Sequence, residues 1–237
     1  MSCRVVALRL DSRDPVSLAA FWAGLLHRSI LDDPRGPLLA GSDTQVGLRF
    51  VPDAGDGTGP GRVHLHVTST SATDQQRTVA AALDLGARHL DVGQSPEEEH
   101  VVLADTEGNA FCVIEPTNAF LSGCGFLGEL ACDGTRRVGP FWARALDWPL
   151  VWDEQEETAV QSPAGGTKIA WGGPPVAPKP SRNRQRLELS VTSGSPSAEV
   201  ERLLALGASL LPGAGDSGDA EVELADPDGN EFHLLTG

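Results

Sequence analysis

An internal repeat is the feature that most constrains how this chain can fold. Three short motifs of the first half recur in the second half, in the same order and 120 or 121 positions later. The matched pairs are Phe21–Ala23 with Phe141–Ala143, Leu85–Ala87 with Leu206–Ala208, and Asp105–Phe111 with Asp226–Phe232. Collinear matches with one single-residue shift indicate a duplication. The repeat therefore predicts two homologous domains, residues 1–118 and 119–237, joined by the small-residue stretch Pro116–Gly125.

Each predicted half contains the order strand, helix and three strands twice. In the first half Asp14 can cap one helix, and Gly86 can end a second helix that covers about Asp74–Leu85. The corresponding helices of the second half are predicted at Val138–Leu146 and after a Ser195 cap. The repeated Asp-x-x-Gly-Asn segments are typical of tight hairpins. Short strands with one helix per unit predict an α+β fold with helices outside curved sheets.

The charge balance disfavours two classes of partner. The chain has 33 acidic residues against 18 Lys and Arg, a formal net charge of −15. An acidic surface repels phosphate backbones and anionic lipids, so we expect neither nucleic-acid nor membrane binding. The chain also contains no tyrosine, so any acid or base chemistry must use other side chains.

The sequence also predicts a cytoplasmic location. The N-terminal residues lack the basic and apolar pattern of a secretory signal, and no apolar stretch approaches the ~20 residues that span a bilayer. The four cysteines have no CxxC spacing, which favours reduced thiols in a reducing compartment.

Together these features resemble a known superfamily. The paired strand–helix–three-strand units, the Phe-Trp helix, the Leu-Gly-Ala motif and the terminal Asp-Pro-Asp-Gly-Asn-Glu-Phe segment are similar to the glyoxalase/bleomycin-resistance/dioxygenase group. This group is the vicinal oxygen chelate superfamily, and its bacterial glyoxalase-like members are the most similar. The resemblance implies tandem domains, each built from two βαβββ units with curved mixed sheets. Duplication within one chain can replace dimerisation, so a monomer is expected.

The resemblance also implies a divalent metal, held by His and Glu from the first and last strands of each unit. Of those positions, His64 matches in the first half, whereas Cys112 stands where Glu is usual. Arg186 and His233 stand at the corresponding positions of the second half. The usual metal site is therefore predicted to be absent, and no cofactor is expected. A non-standard zinc, iron or manganese site would use His64, Cys112 and Glu129.

The remaining candidates are polar or aromatic side chains on strands that are predicted to line a cup. His64 and His233 are candidates for acid or base catalysis, because histidine titrates near neutral pH; the alternative is a buried, hydrogen-bonded histidine. The candidate ligand-binding residues are Arg49, His66, Cys112, Glu129, Trp171, Arg186 and Glu188. Cys112 also fits a small core residue, and Arg186 with Glu188 also fits an ion pair. Trp171 is the candidate for stacking on a ligand ring.

Three functions are compatible with these residues. The first is a small-molecule-binding protein that holds an organic metabolite in a cup between βαβββ units without the usual metal. The second is a divergent lyase, isomerase or dioxygenase that uses His64 or His233, with or without a non-standard metal. The third is a structural or regulatory partner protein in which both cups are filled by side chains.

Overall fold

The computed structural model describes residues 3–53, 61–176, 178–179, 181–212 and 220–236. Four strand–helix–three-strand units follow one another along the chain. The first unit contains β1 (Cys3–Ser12), α1 (Pro15–Leu26), β2 (Ile30–Leu31), β3 (Leu38–Leu39) and β4 (Gly47–Pro52). The second contains β5 (Val63–Val67), α2 (Ala72–Asp84), β6 (Arg88–His89), β7 (Val101–Ala104) and β8 (Ala110–Val113).

The second half repeats this order, so the predicted α+β architecture is confirmed. The third unit contains β9 (Leu127–Cys132), α3 (Val138–Leu146), β10 (Leu150–Glu154), β11 (Glu157–Gln161) and β12 (Lys168–Trp171). The fourth contains β13 (Gln185–Val191), α4 (Pro196–Leu206), β14 (Ser209–Leu210), β15 (Glu221–Ala225) and β16 (Glu231–Leu235). In the described part of the chain, no helix is both long enough and apolar enough to cross a membrane.

Local side-chain chemistry sets the helix ends. The Asp14 side chain accepts a hydrogen bond from the Ser17 backbone N–H at 3.1 Å, and Ser195 accepts one from Ala198 at 3.2 Å. Both helices then begin with a proline, whose missing N–H costs nothing in the first turn. Helix α2 begins two residues before the predicted position, because Ser71 supplies its cap.

Two eight-stranded sheets form, and each takes one unit from each half of the chain. The first sheet has the order β14-β15-β16-β13-β1-β4-β3-β2 and joins the first and fourth units. The second sheet has the order β10-β11-β12-β9-β5-β8-β7-β6 and joins the second and third units. The seams are the antiparallel pairs β1 with β13 and β5 with β9. The two units of one half therefore contribute to different sheets, and each concave face is shared by both halves.

A buried tryptophan holds together the two units of each half. The indole Nε1 of Trp22 donates a hydrogen bond to Asp105 at 3.2 Å, and that of Trp142 donates to Asp226 at 3.3 Å. The Trp22 ring also packs edge-on against Phe111, with centroids 5.1 Å apart. Two motifs of the sequence repeat therefore bind each other, which explains why they recur together.

The Asp-x-x-Gly-Asn segments form the predicted tight turns, and their aspartates are buried. Gly108 and Gly229 have φ values of +90° and +79°, a conformation that glycine adopts without steric cost. The Asp105 carboxylate also accepts the backbone N–H groups of Glu107 and Asn109, each at 2.9 Å. Burial raises the pKa of both aspartates despite these hydrogen bonds. The turns are therefore anchored in the core.

Candidate functional site

Four chemically different side chains form a row across the concave face of the second sheet. His66 lies opposite Cys112 of β8 on one side and opposite Glu129 of β9 on the other, and Glu129 lies opposite Lys168 of β12. Side chains alternate between the two faces of a strand, so the residues before and after His66 point into the core instead. The row of Cys112, His66, Glu129 and Lys168 is the centre of this cup.

A pocket of about 430 Å³ opens beside the row, between the inner strands and the edge hairpin β10–β11. Its volume is within the range of small-molecule sites. The lining residues are His64, Phe120, Glu129, Ala131, Cys132, Asp133, Trp152, Glu157, Thr158, Ala170, Trp171 and Gly172. Alanine and glycine leave the floor open, while aromatic rings and carboxylates form the walls.

His66 and Glu129 form a short, largely buried contact. Nδ1 of His66 lies 2.6 Å from Oε2 of Glu129, with side-chain exposures of 20% and 9%. Burial opposes the charged imidazole, but hydrogen bonds with Cys112 and Glu129 raise the pKa of His66 to about 10. The ring of His66 is therefore an imidazolium at neutral pH.

His64 has the opposite protonation state. Burial, together with the positive charge of His66, lowers the pKa of His64. A neutral imidazole at the pocket wall can accept a proton or a hydrogen bond. The sequence assigned the ligand position of the second unit to His64, but the register places His66 between Cys112 and Glu129.

The stretch that joins the two halves contacts both ends of the row, Cys112 and Lys168. Leu121 and Cys124 pack with Val102, Cys112 and Ile114 in a small buried cluster, and Phe120 lies against it. The Lys168 ammonium lies 3.9 Å from the centre of the Phe120 ring and also donates to the Phe120 backbone oxygen. The linker therefore covers Cys112, and its Phe120 forms part of the pocket wall.

The concave face of the first sheet is occupied by an ion-pair network. Its five guanidinium groups and five carboxylates are those of Arg9, Arg35, Arg49, Arg182, Arg186, Asp11, Asp33, Glu188, Glu221 and Glu223. Arg49 Nε lies 2.7 Å from Glu188 Oε2, and both side chains are fully buried. Arg186 binds Asp11 at 2.7 Å. Opposite charges are equal in number, so the network neutralises itself.

The sequence candidates of the fourth unit belong to this network. Arg186 Nε donates to His233 Nε2 at 3.1 Å, and Nδ1 of His233 lies 3.3 Å from Glu221. Hydrogen bonds from His233 and Arg9, against the effect of burial, lower the pKa of Glu221 to about 2. Arg49, Arg186 and Glu188 were candidates for ligand binding and His233 was a candidate for catalysis; in the structure their side chains belong to the ion-pair network.

At the pocket of the second sheet, the predicted stacking residue Trp171 is buried and a different tryptophan, Trp152, is exposed. Trp171 is 3% exposed, and its ring stacks on Trp142 with centroids 6.5 Å apart, so one face of the predicted stacking ring is already covered. Trp152 on the edge strand β10 is 36% exposed and also lines the pocket. Sequence patterns did not identify Trp152; the signal was a large aromatic residue directly before two acidic residues in the edge strand β10.

The donor set does not match the metal site that the resemblance implies. Among the described residues, no three His, Cys, Asp or Glu side chains are placed to hold a metal ion. At the centre of the second cup, His66 is already hydrogen-bonded to Glu129, and the positive charge of Lys168 would repel a metal ion. The hypothetical set of His64, Cys112 and Glu129 is not brought together, because His66 occupies the intervening position.

Comparison with known proteins gives one family match. The model of the glyoxalase-like domain family matches the chain twice, over residues 7–114 and 129–235. No curated protein matches. The two matches together span most of the chain, one in each half.

Solved structures show the same architecture. The chain is similar to glyoxalase I from Zea mays, with 14% identity, a TM-score of 0.68, and coverage of 99% of this chain and 92% of that chain. A candidate dioxygenase from Bacillus subtilis gives 12% identity, a TM-score of 0.61, and coverage of 99% and 85%. At such identities the likeness concerns the fold alone.

Proposed function

Because the chain belongs to the glyoxalase-like domain family and keeps one open cup, we propose that it binds a small organic ligand in the pocket of the second sheet. The observation that carries this proposal is the contrast between the two concave faces. One contains a self-neutralising ion-pair network, and the other opens into a pocket of about 430 Å³. The expected stoichiometry is therefore one ligand per chain.

The pocket wall favours a planar ligand that carries a positive charge. Glu129 is already paired with His66, but Asp133 and Glu157 contribute further carboxylates, and the exposed ring of Trp152 offers a stacking surface. The Lys168 ammonium beside the pocket is already engaged by Phe120. An organic cation would gain attraction from the carboxylates, whereas an anion would meet repulsion.

Three probes with the same ring and different charge test this preference. Tryptamine, 3-methylindole and indole-3-acetate carry a positive, neutral and negative side group. In isothermal titration calorimetry we expect tryptamine to bind at least about tenfold more tightly than indole-3-acetate, because a charge at contact distance changes the binding energy by more than ~1.4 kcal/mol. Equal affinities, or the reverse order, would contradict the proposed ligand class.

Two substitutions test whether the ligand binds in this pocket. Trp152→Ala removes the stacking surface and is expected to weaken tryptamine binding, while Glu157→Gln is expected to reduce the preference for the cation. Glu98→Gln is the matched control, because it removes one charge from an exposed position outside the pocket lining. If Glu98→Gln weakens binding as much as Glu157→Gln, net charge rather than the pocket determines affinity.

We also propose that the ligand binds without the usual divalent metal of the superfamily. The protonated His66 and the neighbouring Lys168 support this, since both disfavour a cation at the centre of the cup. Elemental analysis of protein purified without chelators is the test. Zinc, iron or manganese at one ion per chain, lost in His64→Ala, would overturn the proposal.

A catalytic role is the second candidate, and His64 is the observation that favours it. The lowered pKa of His64 keeps its imidazole neutral at the pocket wall, as a general base requires. His233 is less suited, because Arg186 and Glu221 already bind its ring. For any compound that is turned over, His64→Gln is expected to abolish turnover and retain binding. A binding protein would show no turnover in either form.

A further inference from the structure

Cys112, His66 and Glu129 form a thiol–imidazole–carboxylate line across three neighbouring strands. His66 is the register partner of both other residues, and its Nδ1 lies 2.6 Å from the Glu129 carboxylate. The imidazole and the Cys112 thiol lie side by side on the same face of two neighbouring strands. An imidazole held by a carboxylate on one side and in contact with a thiol on the other is the arrangement that activates cysteine nucleophiles.

Cys112 differs in this respect from the other three cysteines. Burial raises the pKa of Cys3 to about 12, and it also raises the pKa of Cys124 and Cys132. A neutral thiol is a poor nucleophile, because the thiolate is the reactive form. In the strand pairings Cys112 lies opposite His66, whereas Cys3 lies opposite Val191 and Cys132 lies opposite Val63.

We propose that Cys112 is a nucleophilic thiol, activated by His66 and positioned through Glu129, that adds to electron-poor organic molecules such as α,β-unsaturated carbonyl compounds. Sγ forms a bond with the β-carbon, and the electron pair of the C=C bond moves to the α-carbon. His66 supplies the proton that the α-carbon takes up, and this proton replaces the one that the thiol lost. Nothing leaves, and no oxidant or reductant is needed. This activity is separate from the reversible binding proposed above.

Phe120 controls access to this thiol. Cys112 is 9% exposed and lies in the buried cluster under the linker, whereas Phe120 contacts that cluster and also lines the pocket. A molecule in the pocket therefore reaches Cys112 past the Phe120 side chain. Truncation of this side chain is expected to accelerate the reaction by about tenfold or more.

N-ethylmaleimide, a conjugated electrophile, is the probe. Mass spectrometry of digested protein is expected to find the first adduct on Cys112, formed faster in Phe120→Ala than in the natural chain. His66→Gln and Glu129→Gln are expected to slow this adduct by about tenfold or more. His89→Gln, an exposed histidine on β6, is the matched control and is expected to react like the natural chain.

The pH dependence of the reaction rate distinguishes an activated thiol from one that is only buried. It is measured on the natural chain, so it does not depend on whether the variants fold. Besides Cys112 and Glu129, the charged or titratable groups near His66 are His64 on its own strand and Lys168 beside Glu129. With glutathione the rate rises about tenfold per pH unit below its pKa, whereas the Cys112 rate is expected to rise less steeply, because the neighbouring His66 keeps its proton up to about pH 10. A glutathione-like slope, or a first adduct on another cysteine in Phe120→Ala, would overturn the proposal.

Discussion

Arg49 and Glu188 show how a single pair of residues can fill the concave face of a sheet. Both side chains are fully buried, and their contact of 2.7 Å joins strands of opposite halves. A buried ion pair gains little net stability over apolar residues, but removal of one partner leaves an uncompensated charge. Arg49 therefore stabilises the first sheet mainly by neutralising Glu188.

Replacement of this arginine gives the first prediction. Arg49→Ala is expected to lower the free energy of unfolding by about 3–5 kcal/mol, because Glu188 stays buried without its partner. Arg136→Ala is the control, since the Arg136–Asp153 pair is exposed, and no measurable change is expected. Urea denaturation measures both. Equal effects of the two substitutions would show that the buried Glu188 does not need the charge of Arg49 for the stability of the fold.

His66 gives the second prediction, which concerns pH. Its pKa rises from 6.5 to about 10 on folding, because hydrogen bonds to Cys112 and Glu129 outweigh burial. A raised pKa stabilises the folded state fully below 6.5, and this contribution is lost as pH rises towards 10. We expect the free energy of unfolding to fall by about 3 kcal/mol between about pH 7 and about pH 10.

Chemical denaturation at several pH values measures this loss. Cys3, Cys124 and Cys132 also reduce stability in this window, because burial raises their pKa values and their thiols ionise more readily in the unfolded chain. In His66→Gln the loss between about pH 7 and about pH 10 is therefore expected to be smaller than in the natural chain by about 3 kcal/mol. Equal losses in the two proteins would assign the titration to the cysteines.

At the residue scale, the sequence predicted which polar residues line the cups better than it predicted their contact partners. Arg186 and Glu188 were candidates for ligand binding or for an ion pair with each other, whereas in the structure Arg186 binds Asp11 and Glu188 binds Arg49. Those partners lie 175 and 139 positions away in the chain. Only the sheet register brings them together, and no local pattern in the sequence encodes that register.

At the scale of elements, local signals predicted helix ends and did not predict the edge strands β2 and β14. Asp14 and Ser195 cap their helices by bonds that span three residues, so the sequence contains all that is needed. The strands β2 and β14 have two residues each and exist only through hydrogen bonds to their neighbours. Tertiary context forms such strands.

The loop between β11 and β12 gives the third prediction. A Cβ on Gly166 would lie 1.6 Å from the Thr44 carbonyl oxygen of the first unit, and Gly166 has a φ of +90°. Gly165 has a φ of +84°, but a Cβ there would meet nothing within 4 Å. The two neighbouring glycines therefore separate backbone strain from steric contact.

Gly166→Ala is expected to destabilise the fold by about 3 kcal/mol or more, because the loop must move away from Thr44. Gly165→Ala should cost only the backbone strain of about 1–2 kcal/mol. Thermal unfolding of both variants is the measurement. Equal shifts would mean that the loop does not press on the first unit.

At the scale of the whole molecule, the repeat predicted four units but did not identify which units share a sheet. Sequence similarity between halves is the same whether a sheet joins neighbouring units or units of opposite halves. The choice follows from the seams β1–β13 and β5–β9, which connect the halves along both sheets. Neither half contains a complete cup.

This arrangement gives the fourth prediction. If the chain is divided at Gly123 in the linker, the fragments 1–122 and 123–237 are expected to copurify at a ratio of one to one when produced together. A fragment produced alone exposes the edges of inner strands and is expected to self-associate. Size-exclusion chromatography with light scattering distinguishes these states. Two stable monomeric fragments would contradict the shared sheets.

The second sheet comes from the middle of the chain and the first sheet from its two ends. This placement along the sequence sets the order in which the chain can assemble. The second sheet comes from the uninterrupted stretch 63–171, and its seam pairs Leu65 with Leu130. The first sheet needs both ends of the chain, because Leu8 pairs with Leu187. Contacts of long sequence separation form late, since their loop-closure entropy must be overcome first. The pocket is therefore expected to form while synthesis continues, and the ion-pair network closes only after the last strand is released.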